Sequence, residues 1–226
     1  MTTIAENLQA VRVRIGRAAQ AAHRDPASVT LLAVSKTHAV ACIAEARTAG
    51  QRSFGESYVQ EALEKMAQLP ALDWHLIGAL QSNKTRLAAE GFAWIHTVQS
   101  EKIARRLSEQ RPPSLPALNV LIQVNASGEA TKSGVGFDEI ANLARFVAPL
   151  PRLKLRGLMA MPEPGAPRER YAVVRAAFEQ LKREFDCDTL SMGMSDDLEL
   201  AIAEGATLVR IGTAIFGARK KEKSAA

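Results

Sequence analysis

Eight short apolar runs recur along this chain, at 30–36, 53–57, 74–79, 94–99, 118–125, 153–161, 189–194 and 207–216. Between them lie stretches that carry helix punctuation. A run of that length without strict polar alternation reads as a strand buried on both faces, the pattern of a parallel sheet. The stretch Val40 to Gly50 ends on a glycine stop, Ser57 to Leu69 ends before Pro70, and Asn83 to Glu90 stops at Gly91. Ser100 can cap a helix running to Gln110, Phe137 to Ala148 stops before Pro149, and Glu169 to Phe185 follows. Asp196 and Asp197 sit at the positive end of a last helix to Ala203, with Gly205 just past it. Strands alternating with crossover helices give a parallel α/β sheet, and eight repeats favour closure into a single (β/α)8 TIM barrel.

An extra N-terminal helix, about 4–22, precedes the first strand and carries Ile4, Leu8, Val11 and Ile15 on one stripe. At 226 residues the barrel is trimmed relative to the usual ~250, so short loops and no inserted domain are expected. The proline-rich segments 111–116 and 162–167 read as loops, no linker divides the chain, and one domain is expected over 1–226. The excess of positive charge, +5, collects partly in Arg219, Lys220, Lys221 and Lys223. A solvated, flexible basic tail about 218–226 accounts for it better than a nucleic-acid surface does, since basic and aromatic residues are not interleaved.

Cys42 and Cys187 are not spaced as a metal pair, and each falls in a segment that reads as helix or helix end, so reduced thiols are expected. The first residues lack a secretory pattern, and no window approaches the ~20 apolar residues of a membrane span. A soluble cytoplasmic monomer, with no membrane or nucleic-acid partner, is the expectation.

The first run ends on Lys36. An ammonium at the mouth of a buried strand is partly desolvated, which lowers its pKa and makes the amine a carbonyl nucleophile. A lysine that only snorkels from a strand end into water remains the alternative. The far end of the chain weighs on that choice. Leu190 to Asp197 reads as a strand entering a helix, and Arg210, Gly212 and Thr213 interrupt the last run. Small residues, hydroxyls and bare N–H groups suit a phosphate. In a barrel the C-terminal strand ends share one face, and the loops after strands 7 and 8, here Met194-Ser195 and Gly212-Thr213, are its usual phosphate site. A reactive lysine on neighbouring strand 1 then describes a site for a phosphorylated aldehyde, of which pyridoxal 5′-phosphate is the commonest cofactor.

Other polar residues carry less. His75 and His96, inside strand patterns, read as satisfied core histidines. Glu56, Gln81, Asn83 and Lys84 read as site rim or helix cap. Gln123 and Asn125 point inward in one register, toward barrel hydrogen bonds or the cofactor. The segment 129–134 reads as a mobile loop whose Lys132 is a second amine.

Several blocks together carry a family resemblance: Ala33-Val34-Ser35-Lys36, Phe54 to Glu61, Trp74 to Gly78 with Leu80 to Lys84, Leu190 to Asp196, and Arg210 to Gly217. In this order they resemble the pyridoxal-phosphate homeostasis protein family (YggS or PROSC type), similar to the N-terminal barrel of alanine racemase. The resemblance implies a Schiff base at Lys36, a phosphate held by Ser195, Gly212 and Thr213, and Arg210 facing the pyridine nitrogen, with Met194 and Ser57 as further contacts. Ser57 stands where the family pattern has asparagine, and Ala79 where it has proline. An arginine keeps its proton, leaves the pyridine nitrogen unprotonated and makes the ring a weak electron sink. The resemblance thus implies a carrier without catalytic residues or metal, serving vitamin B6 homeostasis and passing cofactor to apo-enzymes. A weak amino-acid racemase is the alternative, and a Schiff-base sugar aldolase a third reading.

Overall fold

The computed structural model describes residues 2–129 and 132–218. Eight parallel strands close in sequence order into a barrel, with β8 returning to β1. They are β1 (Thr30–Val34), β2 (Ser53–Glu56), β3 (Asp73–Leu76), β4 (Trp94–Val98), β5 (Leu118–Val124), β6 (Leu153–Ala160), β7 (Thr189–Ser191) and β8 (Leu208–Ile211). Closure is set by the register Thr30↔Leu208 through Ala33↔Ile211. The expected (β/α)8 architecture is the one found.

The helices are α1 (Ile4–Ala21), α2 (Val40–Thr48), α3 (Val59–Gln68), α4 (Thr85–Gly91), α5 (Glu101–Gln110), α6 (Ile140–Val147), α7 (Arg168–Glu184), α8 (Leu198–Ala203) and α9 (Thr213–Phe216). At the start of α1, Thr3 Oγ1 accepts from the Glu6 N–H while the Glu6 carboxylate accepts from the Thr3 N–H, a reciprocal cap. Leu8, Val11, Ile15, Ala18 and Ala19 are buried on its inner stripe. The helix lies along α8 and α9. There Asn7 Nδ2 donates to the Ile215 carbonyl (2.9 Å), and Arg14 bonds both Glu199 and the Ser195 carbonyl (3.1 Å).

The last apolar run departs from expectation. The sequence pattern makes one strand of 207–216, whereas the strand stops at Ile211 and the chain turns at Gly212 into α9. A short apolar stretch suits a buried helix turn as well as a strand. Gly212 eases the turn, since a Cβ there would lie 3.2 Å from the Val34 carbonyl oxygen of β1, a tight contact. Cys187 also departs, lying in the loop after α7 and buried, while Cys42 sits in α2, half-buried. Both thiols are free. The basic tail falls on residues 219–226, outside the described ones. Among the described residues no helix is long and apolar enough to cross a membrane.

Candidate functional site

At the C-terminal end of the barrel two adjoining cavities, of about 220 and about 510 Å³, share Lys36, Ile77, Met161 and Met194 as walls. Lys36 is half-buried, two residues beyond the end of β1. Its neighbour Thr37 adopts φ +65°, a region that a β-branched residue occupies only when its surroundings force it. The forcing group is visible. The Thr37 N–H donates to Glu61 Oε1 (2.6 Å), and the same oxygen accepts from Lys65 Nζ (2.7 Å). Lys65 Nζ also donates to Glu56 Oε1 (2.8 Å) and to the Ser35 carbonyl (2.9 Å), while Ser35 Oγ donates to Glu56 Oε1 (2.6 Å).

Lys65 is 5% exposed and Glu56 not at all. Burial pushes the Glu56 carboxyl above its usual range, and the hydrogen bonds from Lys65 and Ser35 pull against that shift. Glu56 is therefore neither site rim nor helix cap: it anchors a buried ion pair under the Lys36 turn. Gln81, Asn83 and Lys84 correct the same expectation. They lie at the 3-10 turn Ser82–Lys84, make no side-chain cap and line neither cavity.

The smaller cavity gathers most of the expected constellation, with Lys36, Met194, Ser195, Arg210, Gly212 and Thr213 on its walls. Thr213 opens α9, and the first N–H groups of a helix have no partner within it. Asp196 adds a carboxylate at the same wall. The neighbouring Asp197 is engaged elsewhere, accepting from the Met194 N–H (2.5 Å) and the Tyr171 hydroxyl (2.7 Å). Ser57 stands apart. It lines the larger cavity beside Ala79, so both departures from the family pattern share one wall. Between them Gly78 presses on the Ser57 carbonyl so closely that any Cβ would collide with it. Gln123, Asn125 and Lys132 line this larger cavity too. The loop expected at 129–134 includes residues 130 and 131, which lie outside the described ones.

Arg210, on β8, is 4% exposed and forms part of the cavity floor. Its guanidinium donates to Ser191 Oγ (2.8 Å) and to the Ala160 carbonyl (3.0 Å). Among the described residues no carboxylate pairs with it. Burial lowers its pKa to about 10, with the Asp197 charge opposing. Behind Ser191 the chain of contacts continues into the core: His96 Nδ1 lies 3.0 Å from Ser191 Oγ and His96 Nε2 lies 2.9 Å from His75 Nδ1. Both rings are buried and hydrogen-bonded, as core histidines should be. Burial holds His75 down to about 3, and burial together with the charges of His75 and Arg210 holds His96 far below the usual histidine range.

The profile of the alanine racemase N-terminal domain family matches residues 7–220. The pyridoxal phosphate homeostasis protein of Pseudomonas aeruginosa is 60% identical, covering 97% of each chain. This chain belongs to the pyridoxal phosphate homeostasis family. A structure of PipY from Synechococcus elongatus with pyridoxal phosphate bound is 38% identical and superposes with a TM-score of 0.82, over 95% of this chain and 100% of that one. Alanine racemase from Corynebacterium glutamicum shares the fold alone, at a TM-score of 0.71 and 17% identity, and this chain spans 60% of it.

For this member of the homeostasis family, sequence reasoning missed Lys65, Glu61 and Ser191. Glu61 and Lys65 stand four apart, a visible helix pair. Their burial, and the arrival of Glu56 from β2, were not visible. Ser191 was named only within the block Leu190 to Asp196, with no sign that it touches Arg210.

Proposed function

We propose that the chain is a carrier that binds pyridoxal 5′-phosphate reversibly at the smaller cavity and releases it to apo-enzymes without turning over amino acids. The observation that carries this is one cavity holding an amine, a buried guanidinium and a hydroxyl beside a helix start, the three groups an aldehyde, a ring nitrogen and a phosphate require. The cofactor supplies an aldehyde that condenses with a lysine and a ring that can act as an electron sink. Lys36 would hold the aldehyde carbon, Arg210 would donate to the pyridine nitrogen, and Ser195 with Gly212 and Thr213 would receive the phosphate. Met194 would be a further contact from the same wall, and Ser57 lines the adjoining space. The adjoining larger cavity adds Gln123, Asn125 and Lys132 as polar groups beside the site.

Absence of turnover rests on Arg210. A guanidinium that among the described residues bonds a hydroxyl and a carbonyl and no carboxylate stays protonated and cannot hand its proton to the ring. The chain acts as a monomer in the cytoplasm on this reading.

Borohydride treatment of the loaded protein followed by peptide mapping tests the site, with the label expected on Lys36 and visible absorbance lost in Lys36→Ala. A label chiefly on Lys132 or Lys84 overturns the assignment. Incubation with L-alanine in deuterated water tests the carrier role. Exchange of the α-hydrogen within about tenfold of that promoted by the free cofactor supports it, and exchange near ~1 s⁻¹, the low end of ordinary turnover, makes the protein an enzyme.

A further inference from the structure

Arg210, Ser191, His96 and His75 form one continuous hydrogen-bonded chain through the barrel interior, contributed by β8, β7, β4 and β3. It begins at the mouth cavity and ends at His75. His75 also lines a cavity of about 290 Å³ at the opposite end of the barrel, with Asp73, Trp94, Arg156 and Asp188.

The direction of this chain follows from its first member. A guanidinium has donors only, so Ser191 Oγ must accept from Arg210. The serine proton then needs another acceptor, and the other group bonded to that oxygen is His96 Nδ1, at 3.0 Å. His96 therefore carries its proton on Nε2 and donates it to His75 Nδ1 at 2.9 Å, which places the His75 proton on its own Nε2. The opposite tautomer of His96 would aim two donors at Ser191 Oγ and leave the buried hydroxyl proton with no partner, which is costly in a site shut off from water. His75 is fixed in turn by stacking on Trp94, with ring centres 5.2 Å apart and planes within 5°.

We propose that His96, acting through Ser191, is a positioning residue for Arg210, holding a neutral acceptor rather than an anionic one against the guanidinium so that its charge stays directed at the cofactor ring. The inference rests on the cofactor reading above. An aspartate at position 96 would return an anion to the network. Histidine held neutral orients the serine and adds no charge.

Two measurements test it. In cofactor-free protein, ¹⁵N spectra of the imidazoles should show both His75 and His96 neutral and protonated on Nε2; a proton on His96 Nδ1 overturns the chain. In loaded protein carrying cofactor labelled with ¹⁵N at the pyridine position, Ser191→Ala and His96→Leu should move that resonance in the same direction. Each should weaken binding about tenfold, as loss of one charge-assisted hydrogen bond does. The double variant should go no further than either single one, and His96→Asn, which keeps an acceptor toward Ser191, should restore most of the effect. An unmoved resonance in Ser191→Ala, or additive effects in the double variant, overturns the proposal. If His96→Leu does not fold, Ser191→Ala decides, since it removes a single oxygen. Failure of the cofactor reading looks different: the wild-type protein then gives no visible band and no label on Lys36, while the imidazole tautomers still report on the chain.

Discussion

Two buried cations lie beneath the barrel mouth and are treated in opposite ways. Lys65 meets two carboxylates and a carbonyl, and nothing of its charge is left over. Arg210 meets a hydroxyl and a carbonyl, and among the described residues no carboxylate pairs with it, so most of its charge is left for whatever enters the cavity. Burying an ion is costly unless good geometry offsets the lost hydration. The difference fits the proposed site: an ion-paired charge fixes backbone, here the strained turn after Lys36, whereas one without a paired carboxylate is a contact that a ligand would complete.

The largest test breaks the compensated side. Lys65→Met leaves Glu56 and Glu61 without their cation, and removing one partner of a buried pair costs about 3–5 kcal/mol. Urea unfolding should show a loss of that size, and a loss below about 1 kcal/mol would mean that the pair is not what holds the turn. Next, Gly212→Asp puts a carboxylate into the cavity that Arg210 lines and so makes the open side resemble the closed one. Repulsion and lost hydrogen bonds should weaken pyridoxal phosphate by about 2–4 kcal/mol, roughly 30- to 1,000-fold, and pyridoxal far less. Equal losses for both ligands would remove the phosphate from the account.

A third test concerns acid. His75 titrates at about 3 when folded and near 6.5 when unfolded, so between those values the unfolded chain binds more protons. Its contribution to stability is complete above pH 6.5 and is lost as the pH falls toward 3, by up to about 1.4 kcal/mol per pH unit, and His96 acts in the same direction. Denaturation midpoints measured from pH 7 to 4 should fall, and His75→Phe should flatten the slope.

The barrel was legible because each strand advertises itself locally, and the Lys36, Ser195, Arg210 and Gly212 positions because barrel geometry gathers strand ends. The end of β8 was not, since Ala214, Ile215 and Phe216 are as apolar in a helix turn as in a strand. Lys65 was hidden for a different reason: a lysine in an amphipathic helix normally marks the wet face, and only the carboxylate from β2 turns it inward. The tie from His96 to Ser191 joins residues 95 apart in the chain and exists only once the barrel has closed.

The seat of α1 on α8 and α9 has a consequence for the order of assembly. The helix α1 finds its packing partners in segments made long after it, and Arg14 reaches the Ser195 carbonyl across 181 positions of sequence. Contacts this distant close late and slow the search for the native state. A nascent chain halted before Thr213 would carry Lys36 already exposed, yet would have no finished wall to keep a reactive aldehyde in place. The wall that Gly212 and Thr213 contribute is therefore missing until β8 and α9 have been made.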